Sequence, residues 1–292
     1  MDRVGVIGLG TMGTAMAANL HSAGFATTVW NRTPGRAAAL VEAGATEASS
    51  PADVARSSEV VVVSVSDTPD VEAVLFGPGG VEKGAHAGLV VVDTSTISPS
   101  ATRTFADRLR ARGADLVDAP VSGGSEGARN ATLTIFVGGG DASVERVRPV
   151  LEAIGRTITH FGPAGSGQAV KAVNQVVIAG VYLGVAEGLV LAMKAGLDPD
   201  KVVAALGGGV AGSWILQNRS ARMIANDYPL GFRISLHLKD LGIALGLARE
   251  VGAALPVAGL AQQLENGLVG RGYGDEDNSD LARAIRELSG LG

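Results

Sequence analysis

Short, near-continuous apolar runs recur through the first half of the chain, each followed by a stretch of helical spacing. The runs Arg3–Ile7, Thr27–Trp30, Glu59–Val65, Leu89–Val92, Asp115–Asp118, Leu133–Val137 and Thr157–Phe161 read as strands. Strands apolar on both faces belong inside a sheet covered on both sides. Gly13–Ala23, Gly35–Glu42 and Ser98–Arg112 read as helices between the early runs. This βαβ alternation predicts a parallel, doubly wound Rossmann sheet, with Leu133–Val137 pairing antiparallel at an edge. After Gly162-Pro163 the strand signals stop. Helical patterns follow over Gly167–Ala195, Pro199–Gly207, Trp214–Ala225, Ile234–Val251, Pro256–Gly267 and Asp280–Ser289. The expected fold class is therefore α/β followed by all-α. A nucleotide-binding domain is expected over 1–163 and a helical substrate and oligomerisation domain over 164–292, joined by the long Gly167–Ala195 helix.

Composition narrows this picture. The 292 residues are 46% hydrophobic, enough for one large core or two ordinary ones. Only 4% are aromatic, while glycine numbers 42, which suits close helix-on-sheet packing. A net charge of −5 argues against nucleic-acid binding. There is no cysteine, so no disulfide, thiolate nucleophile or cysteine metal site, which fits the cytoplasm. The longest apolar stretch, 176–195, carries Glu187, Lys194 and three glycines; a buried interdomain helix is expected there, not a membrane span.

Gly8-Leu9-Gly10-Thr11-Met12-Gly13 follows the first strand and opens a helix. That is the setting in which G-x-G-x-x-G binds a dinucleotide. The first glycine makes the turn, the second admits the pyrophosphate, and the third lets helix and strand pack closely. The helix N-terminus then offers amides and partial positive charge to phosphate. An NAD site usually ends its second strand in an acid that holds the ribose hydroxyls. Here Asn31, Arg32 and Thr33 stand instead: a neutral amide, a cation and a hydroxyl. That set suits a 2′-phosphate and predicts a preference for NADP(H), with NAD(H) possible. Val65 and Ser66 after the third long strand, and Thr96 after the fourth, fall where such sheets bind ligands.

Two further segments carry chemistry. Ser122-Gly123-Gly124 follows a strand and can present a hydroxyl and free amides to a carboxylate. Lys171 and Asn174 lie three apart in an apolar run, hence on neighbouring positions of one helix face. A lysine's ordinary pKa is about 10.4, so one that works as acid and base is expected to be tuned by burial or by positive neighbours.

Four blocks, in order, resemble the β-hydroxyacid dehydrogenase family, which includes 3-hydroxyisobutyrate dehydrogenase and tartronate semialdehyde reductase. They are Gly8–Leu20, Asp118–Gly124, Gly165–Asn174 and Lys239–Leu245. The resemblance implies that Lys171 is the general acid/base and that Asn174 orients the substrate oxygen. It implies that Ser122, Gly123 and Gly124 hold a substrate carboxylate, and that Phe232 lines the site. Lys239 would close over cofactor and substrate, and Trp214 could close the pocket, though packing is the plainer role for Trp214 and Trp30. A homodimer or homotetramer acting on a small carboxylate-bearing substrate is expected. One departure is Ala131, where the family often has glycine before Thr-Leu-Thr. The four histidines, 21, 86, 160 and 237, show no metal-ligand spacing, so no metal is expected. An imine reductase resembles the family but typically lacks the lysine. A non-catalytic NADP-binding interaction module usually lacks it too and adds a reader domain. A 6-phosphogluconate dehydrogenase needs a longer helical domain.

Overall fold

The computed structural model describes residues 2–291. Packing divides the chain inside one long helix, into a unit ending at Lys171 and a unit beginning at Ala172.

The first unit is built on β1 (Arg3–Ile7), β2 (Ala26–Trp30), β3 (Thr46–Glu47), β4 (Val60–Val63), β5 (Val90–Asp93) and β6 (Asp115–Asp118). These form one all-parallel sheet in the order β3-β2-β1-β4-β5-β6. Alternate residues of its strands feed opposite cores: Val60 and Val62 join one, Val61 and Val63 the other. That is why the strands read as unbroken valine runs rather than as alternation. The helices that cover the sheet are α1 (Thr11–Ser22), α2 (Ala38–Glu42), α3 (Pro51–Ser57), α4 (Thr68–Phe76) and α5 (Pro99–Arg110). Strand order reverses between β1 and β4, the switch point at which doubly wound sheets bind ligands.

After β6 come β7 (Val121–Ser122), α6 (Gly124–Arg129), β8 (Leu133–Val137), α7 (Asp141–Glu152) and β9 (Gly155–His160). The expected edge strand is a correction. Leu133–Val137 does pair antiparallel, with β7, but it is the central strand of a separate three-stranded sheet and runs parallel to β9. Two-residue β7 is too short for an apolar pattern to show.

α8 (Ser166–Lys194) runs through the division between the units. The second unit continues with α9 (Pro199–Gly207), α10 (Trp214–Ala225), α11 (Ile234–Val251), α12 (Pro256–Gly270) and α13 (Leu281–Leu288) around a core that includes Tyr182, Leu183, Ile215, Leu241 and Leu268. By length and composition α8 could cross a membrane, and only 39% of its most apolar window is buried. The expectation of a buried helix therefore holds for one face: Ala179, Leu183 and Ala186 are inside, while Val173, Val177 and Leu191 are exposed.

Candidate functional site

The loop after β1 is shaped by packing at its ends and left open in the middle. Gly8 has φ +95, and a Cβ there would lie 2.2 Å from the Ser64 carbonyl oxygen. A Cβ on Gly13 would come within 1.9 Å of the Gly8 oxygen. Gly10 would meet nothing within 4 Å, so no protein contact demands its glycine. No side chain caps the first turn of α1 and no acid stands in it. Open space before uncapped amides fits a dinucleotide pyrophosphate. Asn31 acts first on the protein: its Oδ1 accepts from the Leu9 amide at 2.8 Å, and its Nδ2 donates to the Thr33 carbonyl at 2.9 Å. Arg32 projects outward, its side chain 80% exposed, and pairs with Asp70 at 2.9 Å. The Val65 amide donates to Ser95 Oγ at 3.0 Å, tying together the loops after β4 and β5. Exposed Ser66 and half-buried Thr96 lie in those loops.

Lys171 is 7% exposed, and its Nζ donates to the Val121 carbonyl at 2.9 Å. That carbonyl belongs to the peptide linking Val121 to Ser122, so lysine and loop are fastened to each other. Gly123 (φ +130) and Gly124 (φ +61) turn the chain through the left-handed region just beyond. The lysine's place is set by residues to which sequence reasoning gave no role. Asp118, fully buried, accepts from the amides of Gly165 at 2.7 Å and Gln168 at 2.8 Å, capping the start of α8. Burial pushes its pKa up, against the pull of those amides. Gln168 accepts from the Ile97 amide at 3.1 Å and donates to the Ser95 carbonyl at 2.7 Å, on either side of Thr96. Glycine is required around Asp118: a Cβ on Gly138 would lie 2.6 Å from its Oδ1, and one on Gly167 would lie 2.3 Å from the Phe136 oxygen. The available signal was an acid followed by small residues at a strand's end, with Gly-Ser-Gly-Gln at the helix start. Ala131 takes φ +53, so the departure from the family pattern sits where glycine is favoured.

In the helical unit, Asn174 Nδ2 donates to Gln175 Oε1 at 2.8 Å, and Gln175 Nε2 donates to Asp240 Oδ2 at 2.6 Å. Lys239 Nζ lies 2.9 Å from Asp240 Oδ1, with side chains only 18% and 3% exposed, so this is not a surface pair. His237 is a fully buried helix histidine, its Nδ1 2.5 Å from Glu265 Oε1. Burial raises the Glu265 pKa, while His237 pulls it down. The Phe232 ring meets His237 edge-on at 6.1 Å, and its amide donates to Asp277 Oδ2 at 2.9 Å. Trp214 is a correction: it is 57% exposed rather than a packing residue, with the Arg219 guanidinium 4.6 Å above its ring. Trp30 is half-buried against the sheet core. Among the described residues, no group of three His, Cys, Asp or Glu could hold a metal ion.

The profile of the NAD binding domain of 6-phosphogluconate dehydrogenase matches residues 3–162, and that of the NAD-binding region of NADP-dependent 3-hydroxyisobutyrate dehydrogenase matches residues 165–285. The chain is 43% identical to 2-hydroxy-3-oxopropionate reductase of Escherichia coli, over 98% of each chain. It is 38% identical to 2-(hydroxymethyl)glutarate dehydrogenase of Eubacterium barkeri, over 99% of this chain and 96% of that one. Its fold superposes on 3-hydroxyisobutyrate dehydrogenase of Mycobacterium tuberculosis, solved with L-serine, with TM-score 0.90 and 30% identity over 98% and 99% of the two chains. A Rossmann unit with an open pyrophosphate loop, a helical unit and four motif blocks in order thus coincide with full-length similarity, and the chain belongs to the 3-hydroxyisobutyrate dehydrogenase-like family of NAD(P)-binding oxidoreductases.

Proposed function

We propose that the protein interconverts a small, carboxylate-bearing 3-hydroxy acid and its semialdehyde, with a preference for NADP(H). The observation that carries this reading is the buried Lys171, fastened through the Val121 carbonyl to the loop that begins at Ser122. The bound nicotinamide supplies or accepts the hydride at the substrate carbon. Lys171 Nζ gives a proton to the substrate oxygen in reduction and takes it back in oxidation, and its charge offsets the negative charge developing there. Ser122, Gly123 and Gly124 hold the substrate carboxylate with a hydroxyl and main-chain amides. Leu9, Gly10, Thr11, Met12 and Gly13 receive the pyrophosphate; Val65, Ser66 and Thr96 line the rest of the cofactor. From the helical unit, Asn174 orients the substrate oxygen, Lys239 adds positive charge, and Trp214 and Phe232 select the substrate.

The relatives support the substrate class. One is named for 2-hydroxy-3-oxopropionate, an acid with an aldehyde at carbon 3, and another was solved with L-serine, a small acid with a 3-hydroxyl. Arg32 and Thr33, with no acid at Asn31, support NADP(H). We place the boundary between a nucleotide-binding domain and a helical substrate and oligomerisation domain at 163/164; the change from strands to helices there supports it, while the packing division falls eight residues later, between Lys171 and Ala172, within α8. The exposed Val173, Val177, Val257 and Leu260 support association of copies as a homodimer or homotetramer. We assign the protein to the cytoplasm, with no nucleic-acid or membrane partner.

The test is oxidation of NADPH and NADH against 2-hydroxy-3-oxopropionate, succinic semialdehyde, methylmalonate semialdehyde, glyoxylate and a cyclic imine. One semialdehyde should turn over, faster with NADPH. Lys171→Ala should lower kcat on it by at least ~10², the scale of a lost general acid/base, while NADPH affinity stays within about threefold. Turnover of the imine alone, or near-normal kcat in the variant, would remove Lys171 from the chemistry.

A further inference from the structure

Asn174 and Lys239 are joined by a single polar line inside the helical unit. Asn174 Nδ2 donates to Gln175 Oε1 at 2.8 Å, Gln175 Nε2 donates to Asp240 Oδ2 at 2.6 Å, and Asp240 Oδ1 lies 2.9 Å from Lys239 Nζ. Gln175 is 1% exposed and Asp240 3%.

The line has a direction, and its chemistry sets it. An ion-paired carboxylate offers only acceptors. The Gln175 amide must therefore turn its nitrogen to Asp240, which leaves its oxygen facing Asn174. An amide oxygen can only accept, so Asn174 must meet it with Nδ2. The Asn174 Oδ1 is then the end turned away from Gln175. A solvent-facing amide can present either end, because its oxygen and nitrogen are nearly the same size. Here a flip of Gln175 sets acceptor against acceptor or donor against donor in a buried place, where an unmade hydrogen bond is costly, and a flip of the half-buried Asn174 sets its oxygen against that of Gln175.

We infer that Gln175 and Asp240 are positioning residues that fix which end of the Asn174 amide meets the substrate oxygen, an inference that rests on the reading of Asn174 as a substrate contact. The end presented is an acceptor. It suits the hydroxyl of the hydroxy acid, which has a hydrogen to give, and leaves donation to Lys171 Nζ. The relay therefore makes the site selective for the 3-hydroxyl itself, beyond the carboxylate that any small acid shares.

The experiment compares D-glycerate with D-lactate, which differ only in the 3-hydroxyl, binding to the full-length protein saturated with NADPH so that no turnover occurs. Wild type should hold glycerate about tenfold tighter, the worth of one good hydrogen bond. Gln175→Met and Asp240→Asn should abolish that advantage while leaving lactate affinity and NADPH affinity within about threefold; damage that is merely structural would weaken both acids alike. The double variant Gln175→Glu/Asp240→Asn moves the carboxylate one place along the line. Residue 175 still accepts from Asn174 Nδ2, and an amide at 240 donates to it. This variant should recover the preference for glycerate, and it decides the matter if a single variant fails to fold. Retention of the preference in both single variants, or no recovery in the double, would overturn the relay. Asn174→Ala separates the two readings. If it too leaves the preference intact, Asn174 does not touch the hydroxyl and the contact itself fails. If it abolishes the preference while Gln175→Met and Asp240→Asn keep it, only the relay fails.

Discussion

The root of α8 and the rim at Asn31–Thr33 are both parts of the nucleotide-binding unit, and they are built in opposite ways. At the root, Asp118 is fully buried, both its oxygens accept backbone amides, and the glycines around it have no room for a Cβ. At the rim, Arg32 is 80% exposed, and its ion pair with Asp70 is of the kind worth little. Lys171, the proposed acid/base, thus stands on a helix whose start is fixed by a buried cap. In the proposed reading, the choice of cofactor is left to an exposed side chain whose ion pair adds little to the fold. Stability and turnover should move together at the root and separately at the rim.

The largest effect should come from Asp118→Asn. It sets an amide nitrogen against one of two backbone N–H groups, leaving a buried donor unmet at a cost of about 1–3 kcal/mol. It also removes negative charge from a helix N-terminus. Thermal unfolding and kcat should fall in the same variant; loss of one without the other would break the comparison at its root. Next is Arg32→Ala, expected to weaken NADPH about tenfold, the scale of a charge-assisted contact to phosphate, while NADH affinity and melting temperature stay unchanged. Equal effects on both cofactors would end the 2′-phosphate reading. The smallest is Ala131→Gly. At φ +53 alanine carries a backbone cost that glycine escapes, partly offset by the greater freedom of glycine in the unfolded chain. A gain below about 1 kcal/mol in chemical denaturation is expected, with kinetics untouched. A loss of stability would show that the Ala131 methyl group packs usefully.

Much of this was legible in the sequence, for physical reasons that differ by element. Parallel strands buried on both faces leave valine runs, so Val60–Val63 and Val90–Asp93 could be read to within two residues at each end. Lys171 stood out as a charge in an apolar helix. The short strand Val121–Ser122 left no period to detect, so the small second sheet was missed. Nor could any local pattern show that Asp118 caps a helix 47 residues later, or that Gln175 reaches Asp240 across 65. Such pairings are made by the fold. At Trp214 the sequence misled, because a large aromatic suggests packing wherever it occurs.

The middle glycine of the first loop has a consequence for how sequences of this kind diverge. Packing forbids a side chain at Gly8 and Gly13 whether or not anything binds, whereas a Cβ on Gly10 would stand in empty space. Folding alone would let position 10 drift to alanine or serine at no penalty, while its two neighbours stayed fixed. A glycine at position 10 is therefore accounted for by an occupant of that space and not by packing. In descendants that keep this fold but abandon the cofactor, position 10 should erode first, and comparing its drift with that of positions 8 and 13 would date the loss.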